Sequence, residues 1–251
     1  MSDGQMYTSL AEIYDLIYHW KDYPAEAERL HALLGGLGVA DGSAVLEVAC
    51  GTGTHLRLLR AWYAMSGVDL HEEMLAEARK KAPEVPLFQG DMRTFHVKQP
   101  VDALLCLFSS IGYLLTEADL RAAAARFAAA LKPGGVLLVE PWMAPDGWDT
   151  GRPSLQTYQS PDLQLARGTV ADRVGDIAIM DMNWLIVRRG QPVQHIIERH
   201  ELWLCSRELL VSVFEDAGFD AWFDPNGLTT GRGLLVGRRR SDGSGTGIGI
   251  G

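Results

Sequence analysis

A chain of 251 residues with 47% apolar side chains and a formal charge of −9 has enough material for one full core and a smaller inserted element. The carboxylate excess excludes a general nucleic-acid binder, because phosphate neutralisation needs clustered Lys and Arg; any anionic substrate must be met by a few local arginines. Cys50, Cys106 and Cys205 lie far apart, without CxxC spacing or a zinc-type His pattern, and read as reduced, buried thiols with no metal site. The first residues are partly acidic, and no run approaches the roughly 18 apolar residues of a membrane span, so a soluble, cytoplasmic protein with no membrane partner is expected.

In chain order, "YPAEAERLHALL" (23–34) carries apolar residues at helical spacing, with Pro24 in the first turn and Gly35-Gly36 as a stop. "AVLEVAC" predicts a strand and "THLRLLRAW" a helix; "MSGVDL" predicts a second strand, followed by a helix over about 71–81 and by "VPLFQGDM" as a third strand. "VDALLCLFSS" is the fourth strand, "EADLRAAAARFAAAL" a helix capped by the glycines of "KPGG", and "VLLVEPW" the fifth strand. Nearly continuous apolar strands in the order β-α-β-α-β-β-α-β predict an α/β fold: a Rossmann-like, seven-stranded, mostly parallel sheet with helices on both faces.

After Trp142 the pattern changes. "LQLARGTVADRV", "IAIMDMNWLIV" and "VQHIIERHELWLC" show the alternation of antiparallel strands. "SRELLVSVFEDAGF" is an amphipathic helix with Ser206 as cap and Gly218 as stop, and "AWFDPN" and "GRGLLVGRR" predict two final strands. The expected organisation is an N-terminal helical lid (1–30), a core (31–145 and 205–240), an antiparallel β insert (146–204) over the acceptor site and a disordered Gly/Ser-rich tail (241–251).

The chemistry begins at "LEVACGTGTHL". A glycine-rich turn between strand and helix brings a ligand close to backbone, but the third glycine of a dinucleotide fingerprint is replaced by Leu56, and no P-loop GK[ST] follows. Three acids end successive strands: Glu47, then Asp69, suited to a ribose diol, then Asp91, suited to an exocyclic adenine amine. With no basic phosphate grip at the loop, this favours a nucleoside without phosphates, of which S-adenosylmethionine is one. Methyl transfer needs positioning and exclusion of water more than acid–base machinery, and no Ser/His/Asp set stands out.

On Glu47 with "CGTG", Asp69, "GDM" and "KPGG", in that order, the chain resembles the class I S-adenosylmethionine-dependent methyltransferases. The resemblance implies a cofactor site of Glu47, Ala49, Cys50, Gly51, Gly53, Asp69, Leu70, Met74, Asp91, Met92 and Leu107, with Gly51 and Gly53 bordering the methionine part and Asp91 with Met92 flanking adenine. The runs "YDLIYHWKDYPAEA", "QGDMRTF", "FSSIGYL", "PGGVLLVEPW" and "GRGLLVG" are similar to the TDP-amino-sugar N,N-dimethyltransferases. That likeness implies two methylations of a TDP-linked sugar amine and a possible homodimer. It implies Tyr14 at both cofactor and amine as the catalytic residue, Tyr18, Ser109, Ser110 and Tyr113 along the sugar, Trp142 closing the cleft, and Arg232 on the pyrophosphate. Tyr14, Tyr18, Trp20 and Tyr23 would form an aromatic lid with π faces toward a sulfonium, and bulk water would accept the released proton. The alternatives are a small-molecule N- or O-methyltransferase with a non-sugar acceptor and, outside enzymes, a cofactor-binding sensor or partner protein.

Overall fold

The structure, a computed structural model, describes residues 10–228 and 231–241, so the first residues of the expected lid and the expected tail from 242 lie outside the described residues. In chain order the elements are α1 (Ala11–Ile17), α2 (Tyr23–Gly36), β1 (Ala44–Val48), α3 (Thr54–Leu59), β2 (Ala64–Asp69), α4 (Glu72–Lys81), β3 (Leu87–Gln89), β4 (Val101–Cys106), α5 (Glu117–Ala130), β5 (Leu131–Val139), β6 (Pro153–Gln159), β7 (Leu163–Val174), β8 (Ile177–Arg188), β9 (Gln194–Trp203), α6 (Arg207–Asp216), β10 (Phe219–Asp224) and β11 (Leu234–Arg239).

The main sheet has seven strands in the order β10-β11-β5-β4-β1-β2-β3, as the continuous apolar runs predicted. β11 alone runs against its neighbours, pairing antiparallel with both β10 and β5. From β1 the chain winds outward through β2 to β3, then returns to β4 on the other side of β1. Ligands gather at the strand C-termini beside such a reversal. The register Val48↔Cys106 places the glycine loop after β1 beside the loop after β4. Apolar clusters pack on both faces, Phe127, Phe214 and Phe219 on one and Leu30, Leu34 and Leu59 on the other.

A second sheet, antiparallel in the order β6-β7-β8-β9, carries its own small core. Leu10, Ile13 and Ile17 of the α1 region pack there against Leu165, Met182, Trp184 and Ile186. Burying these apolar side chains at about 1.5–3 kcal/mol each ties the N-terminal helix to the insert.

Several boundaries differ from expectation. β6 was not anticipated. α5 ends at Ala130 on an extended Leu131, not on a glycine cap; "KPGG" instead lies within β5, at an irregularity in the β4–β5 register. Gly134 there has φ +77, and a side chain on Gly135 would meet the Lys132 carbonyl at 2.8 Å, so the glycines serve a bend in a strand. α2 continues through Gly35 and Gly36, and the fourth strand stops at Cys106, before Phe108 and Ser109 turn left-handed with φ of 51 and 65. Ser206 caps α6 as predicted, accepting from the Leu209 N–H at 3.2 Å. Cys50 and Cys106 are buried, but Cys205 is only half-buried. No helix among the described residues is long and apolar enough to cross a membrane.

Candidate active site

A cavity of about 1200 Å³ opens at the C-terminal ends of β1, β2 and β4, with the inner face of the second sheet opposite and α1 along one wall. The structure brings together Tyr14, Tyr18, Glu47, Ala49, Cys50, Gly51, Asp69, Leu70, Met74, Asp91, Met92, Leu107, Ser109, Ser110, Tyr113, Trp142 and Arg232 on its surface. Gly53 is absent from that surface. Its φ is +74 and an added Cβ would lie 2.8 Å from the Ala78 Cβ, so glycine is needed there for α3 to pack on α4.

At the glycine loop, Gly51 has φ +54 and nothing within 4 Å of where a Cβ would stand; its N–H donates to Oδ2 of Asp69 at 2.8 Å. Oδ1 of Asp69 accepts from the His71 N–H at 2.9 Å. Burial raises the Asp69 pKa against these backbone donors. Asp69 therefore shapes the loop as well as facing the cavity. Asp91 is clasped by the Arg93 guanidinium, with Nε 3.0 Å from Oδ1, which lowers its pKa and keeps it ionised. Asp15 of α1 accepts from the hydroxyls of Thr52 at 2.7 Å and Thr54 at 3.3 Å and pairs with Lys81. These bonds fasten the N-terminal helix onto the glycine loop.

Behind Glu47 lies a buried charge cluster. His55 stands between two carboxylates, with Nε2 3.0 Å from Glu26 and Nδ1 3.5 Å from Glu47, and Lys21 also pairs with Glu26. The other Glu47 oxygen, Oε2, is buried with no hydrogen-bond partner.

On the far side, Tyr14 and Tyr18 stand 4.8 Å apart by ring centroids, and Phe108 meets Tyr18 edge-on at 5.1 Å. Burial, then the neighbouring tyrosines, holds the Tyr14 phenol well above its ordinary pKa, so it stays protonated. The Arg232 guanidinium donates to Ser109 Oγ at 2.9 Å and lies over the Trp142 ring at 4.6 Å; desolvation lowers its pKa. Ser109 Oγ in turn donates to the Pro141 carbonyl at 2.8 Å, so Ser109 positions Arg232. Buried Arg167 donates to Gln156 and to the Tyr18 hydroxyl, the latter at 2.9 Å. Trp20, expected in the lid, is 58% exposed but also lines the cavity mouth.

Residues 45–135 match the family model of a methyltransferase domain. Over 90% of its length, covering 96% of the relative, the chain is 37% identical to the dTDP-3-amino-3,4,6-trideoxy-alpha-D-glucopyranose N,N-dimethyltransferase of Streptomyces venezuelae. The crystal structure of Streptomyces venezuelae DesVI superposes with a TM-score of 0.85 at 36% identity, covering 92% of this chain and 98% of that one. That extent takes in the second sheet as well as the first. This chain belongs to the amino-sugar N-methyltransferase family. CalS10, an amino pentose methyltransferase from Micromonospora echinaspora solved with S-adenosylmethionine bound, is also similar, with a TM-score of 0.82, 33% identity and coverage of 90% and 96%.

The residues of this methyltransferase fit S-adenosylmethionine. The unpartnered buried oxygen of Glu47 suits a cationic ammonium group, the open space at Gly51 admits a ligand against backbone, and the tyrosine faces suit a sulfonium. Because the Asp15 bonds tie α1 to the glycine loop, Asp15→Ala should weaken S-adenosylmethionine roughly tenfold by titration calorimetry, the loss of one or two hydrogen bonds to a charged group.

Sequence reasoning missed Glu26, His55, Arg93 and Arg167. The signal for Glu26 was present, since it shares the 26-30-34 stripe with buried Leu30 and Leu34. For His55, burial lowers the pKa, but the Glu26 and Glu47 carboxylates outweigh it and raise it to about 9. A raised folded-state pKa contributes stability in full below the unfolded value, and that contribution is lost as pH rises through about 9. The Tm of the methyltransferase should therefore fall as pH rises from about 6.5 to about 9 and level off above it, and His55→Gln should flatten that part of the Tm profile.

Proposed function

We propose that this methyltransferase transfers two methyl groups in succession to the amine of a nucleotide-linked deoxyamino sugar. The observation that carries the reading is the half-buried Arg232 guanidinium at the cavity, which donates to a hydroxyl and lies over two aromatic faces. Desolvation lowers the Arg232 pKa against the opposing field of Glu140, so an anion from the ligand would stabilise the cation further, and a diphosphate bound there would orient the sugar toward the aromatic wall.

S-adenosylmethionine, when bound, supplies an electrophilic methyl group on a sulfonium. The chain's residues do the rest. Tyr14, protonated and half-buried near Tyr18, Tyr23 and Tyr113, orients the acceptor nitrogen by hydrogen bonding. The aromatic enclosure disfavours a charged ammonium by desolvation, exposing the lone pair needed for attack. α1, fastened by Asp15, excludes water from the cleft.

The acceptor is tested by a panel of dTDP-3-amino and dTDP-4-amino sugars, the corresponding free amino sugars, glycine and simple phenols, with S-adenosylhomocysteine as the readout. Turnover restricted to the dTDP-linked amines supports the proposal, whereas equal turnover of free amines or of hydroxyls contradicts it.

The partner is a second copy of the chain. The outer face of the second sheet exposes Leu155, Val170, Leu185, Val187 and Ile197, which share one side by the strand register. Contiguous exposed apolar residues of this kind mark an association surface. Light scattering should give a dimer mass for the wild type and a monomer mass for Leu185→Glu with Ile197→Glu.

A further inference from the structure

The cavity wall formed by β9 holds a buried polar chain that the proposed function does not use. The Tyr113 hydroxyl lies 2.8 Å from Nδ1 of His200, Nε2 of His200 lies 3.7 Å from Oε2 of Glu198, and that oxygen accepts from Nε1 of Trp184 at 3.0 Å. His200 and Glu198 are 3% and 2% exposed, and Oε1 of Glu198 is buried without a hydrogen-bond partner. Two residues apart on one strand, they share its inner face, opposite Met180 and Met182 of β8.

A carboxylate and an imidazole among methionines are costly to bury, and a network serving only stability would close on itself. This one opens. Tyr113 and His200 line the cavity, and Tyr113 is 38% exposed. The buried carboxylate stands where it would stabilise an imidazolium.

We infer that Tyr113, His200 and Glu198 form a proton relay that removes the proton of the acceptor ammonium before each methylation. The inference rests on the amine acceptor proposed above. In the relay the ammonium N–H bond breaks as an O–H bond forms on Tyr113, while the original phenol proton passes to Nδ1 of His200. One positive charge moves from the acceptor nitrogen to the imidazole, next to Glu198, and His200 later returns the proton to solvent. A relay matters most for the second methyl, because the once-methylated nitrogen is cationic and has no lone pair until it loses a proton.

The test uses the full chain, S-adenosylmethionine and dTDP-3-amino-3,6-dideoxyglucose. Tyr113→Phe and His200→Gln should each lower kcat about 10²-fold, the usual size of general-base effects, with S-adenosylmethionine affinity unchanged by titration and the sugar KM moving only a few-fold. Glu198→Gln should accumulate monomethylated product. Added imidazoles of similar size should restore His200→Gly in order of their basicity, which a purely structural role would not produce. Wild-type kcat in both Tyr113→Phe and His200→Gln overturns the relay. So does a loss in variants that still bind the cofactor but gain nothing from any imidazole. A wild-type enzyme that binds the cofactor but leaves this sugar unmethylated overturns the acceptor proposal and the relay with it.

Discussion

Replacing Arg232 by glutamine is expected to lower kcat/KM for a dTDP-amino sugar about 10²-fold, the magnitude of one or two hydrogen bonds between charged groups in a desolvated site, while a free amino sugar changes only a few-fold. The asymmetry follows from the position of the guanidinium. Arg232 is held by Ser109, whose own hydroxyl is anchored on Pro141, and it is stacked on Trp142, so the cation is in place before any ligand arrives and little is lost in ordering it. Glutamine keeps a hydrogen-bond donor but removes the charge. A loss shared equally by free and nucleotide-linked sugars would mean that Arg232 supports the cavity wall rather than an anion, and a parallel Tm measurement would register that change.

The second large effect concerns the methyl donor. Glu47→Gln should raise the Kd for S-adenosylmethionine about 10²-fold, because a buried carboxylate facing a cation is worth several kcal/mol once both are out of water. Glu47 is 2% exposed, one oxygen faces His55 at 3.5 Å and the other is unpartnered. The free protein thus holds an unsatisfied carboxylate oxygen that a cationic ligand would satisfy. The thermal shift on adding S-adenosylmethionine should shrink accordingly in the variant, since ligand stabilisation follows the ratio of concentration to Kd. An unchanged Kd would place the ammonium group elsewhere.

The parallel sheet was legible because its central strands, β1, β4 and the second half of β5, are buried on both faces and read as unbroken apolar runs. The donor site was legible for a related reason: at Gly51, Asp69 and Asp91 the chain leaves a strand, and the residue types there are set by close approach and by hydrogen bonding rather than by packing. β6 was not legible. Its inward residues Ser154 and Gln156 line a cavity instead of a core, so "PSLQTYQ" lacks the apolar alternation by which a half-buried strand is recognised. The same effect hid Arg167, Glu198 and His200, polar residues that a pattern argument assigns to solvent but that the structure buries against α1 and the cavity. "KPGG" misled in the opposite way, because glycines that suit a helix cap equally suit a bend within a strand. The acceptor half was therefore visible only through the family likeness, whereas the donor half could be argued from residue chemistry.

The central claim, that the acceptor is the amine of a nucleotide-linked sugar methylated twice, is tested most directly by the mass of the product. With dTDP-3-amino-3,6-dideoxyglucose and excess S-adenosylmethionine, time-resolved mass spectrometry should show a transient species carrying one methyl group and an end product carrying two, with one S-adenosylhomocysteine formed per methyl. An unmodified nucleotide sugar, alongside rapid methylation of the free amine or of a hydroxyl compound, would contradict the account.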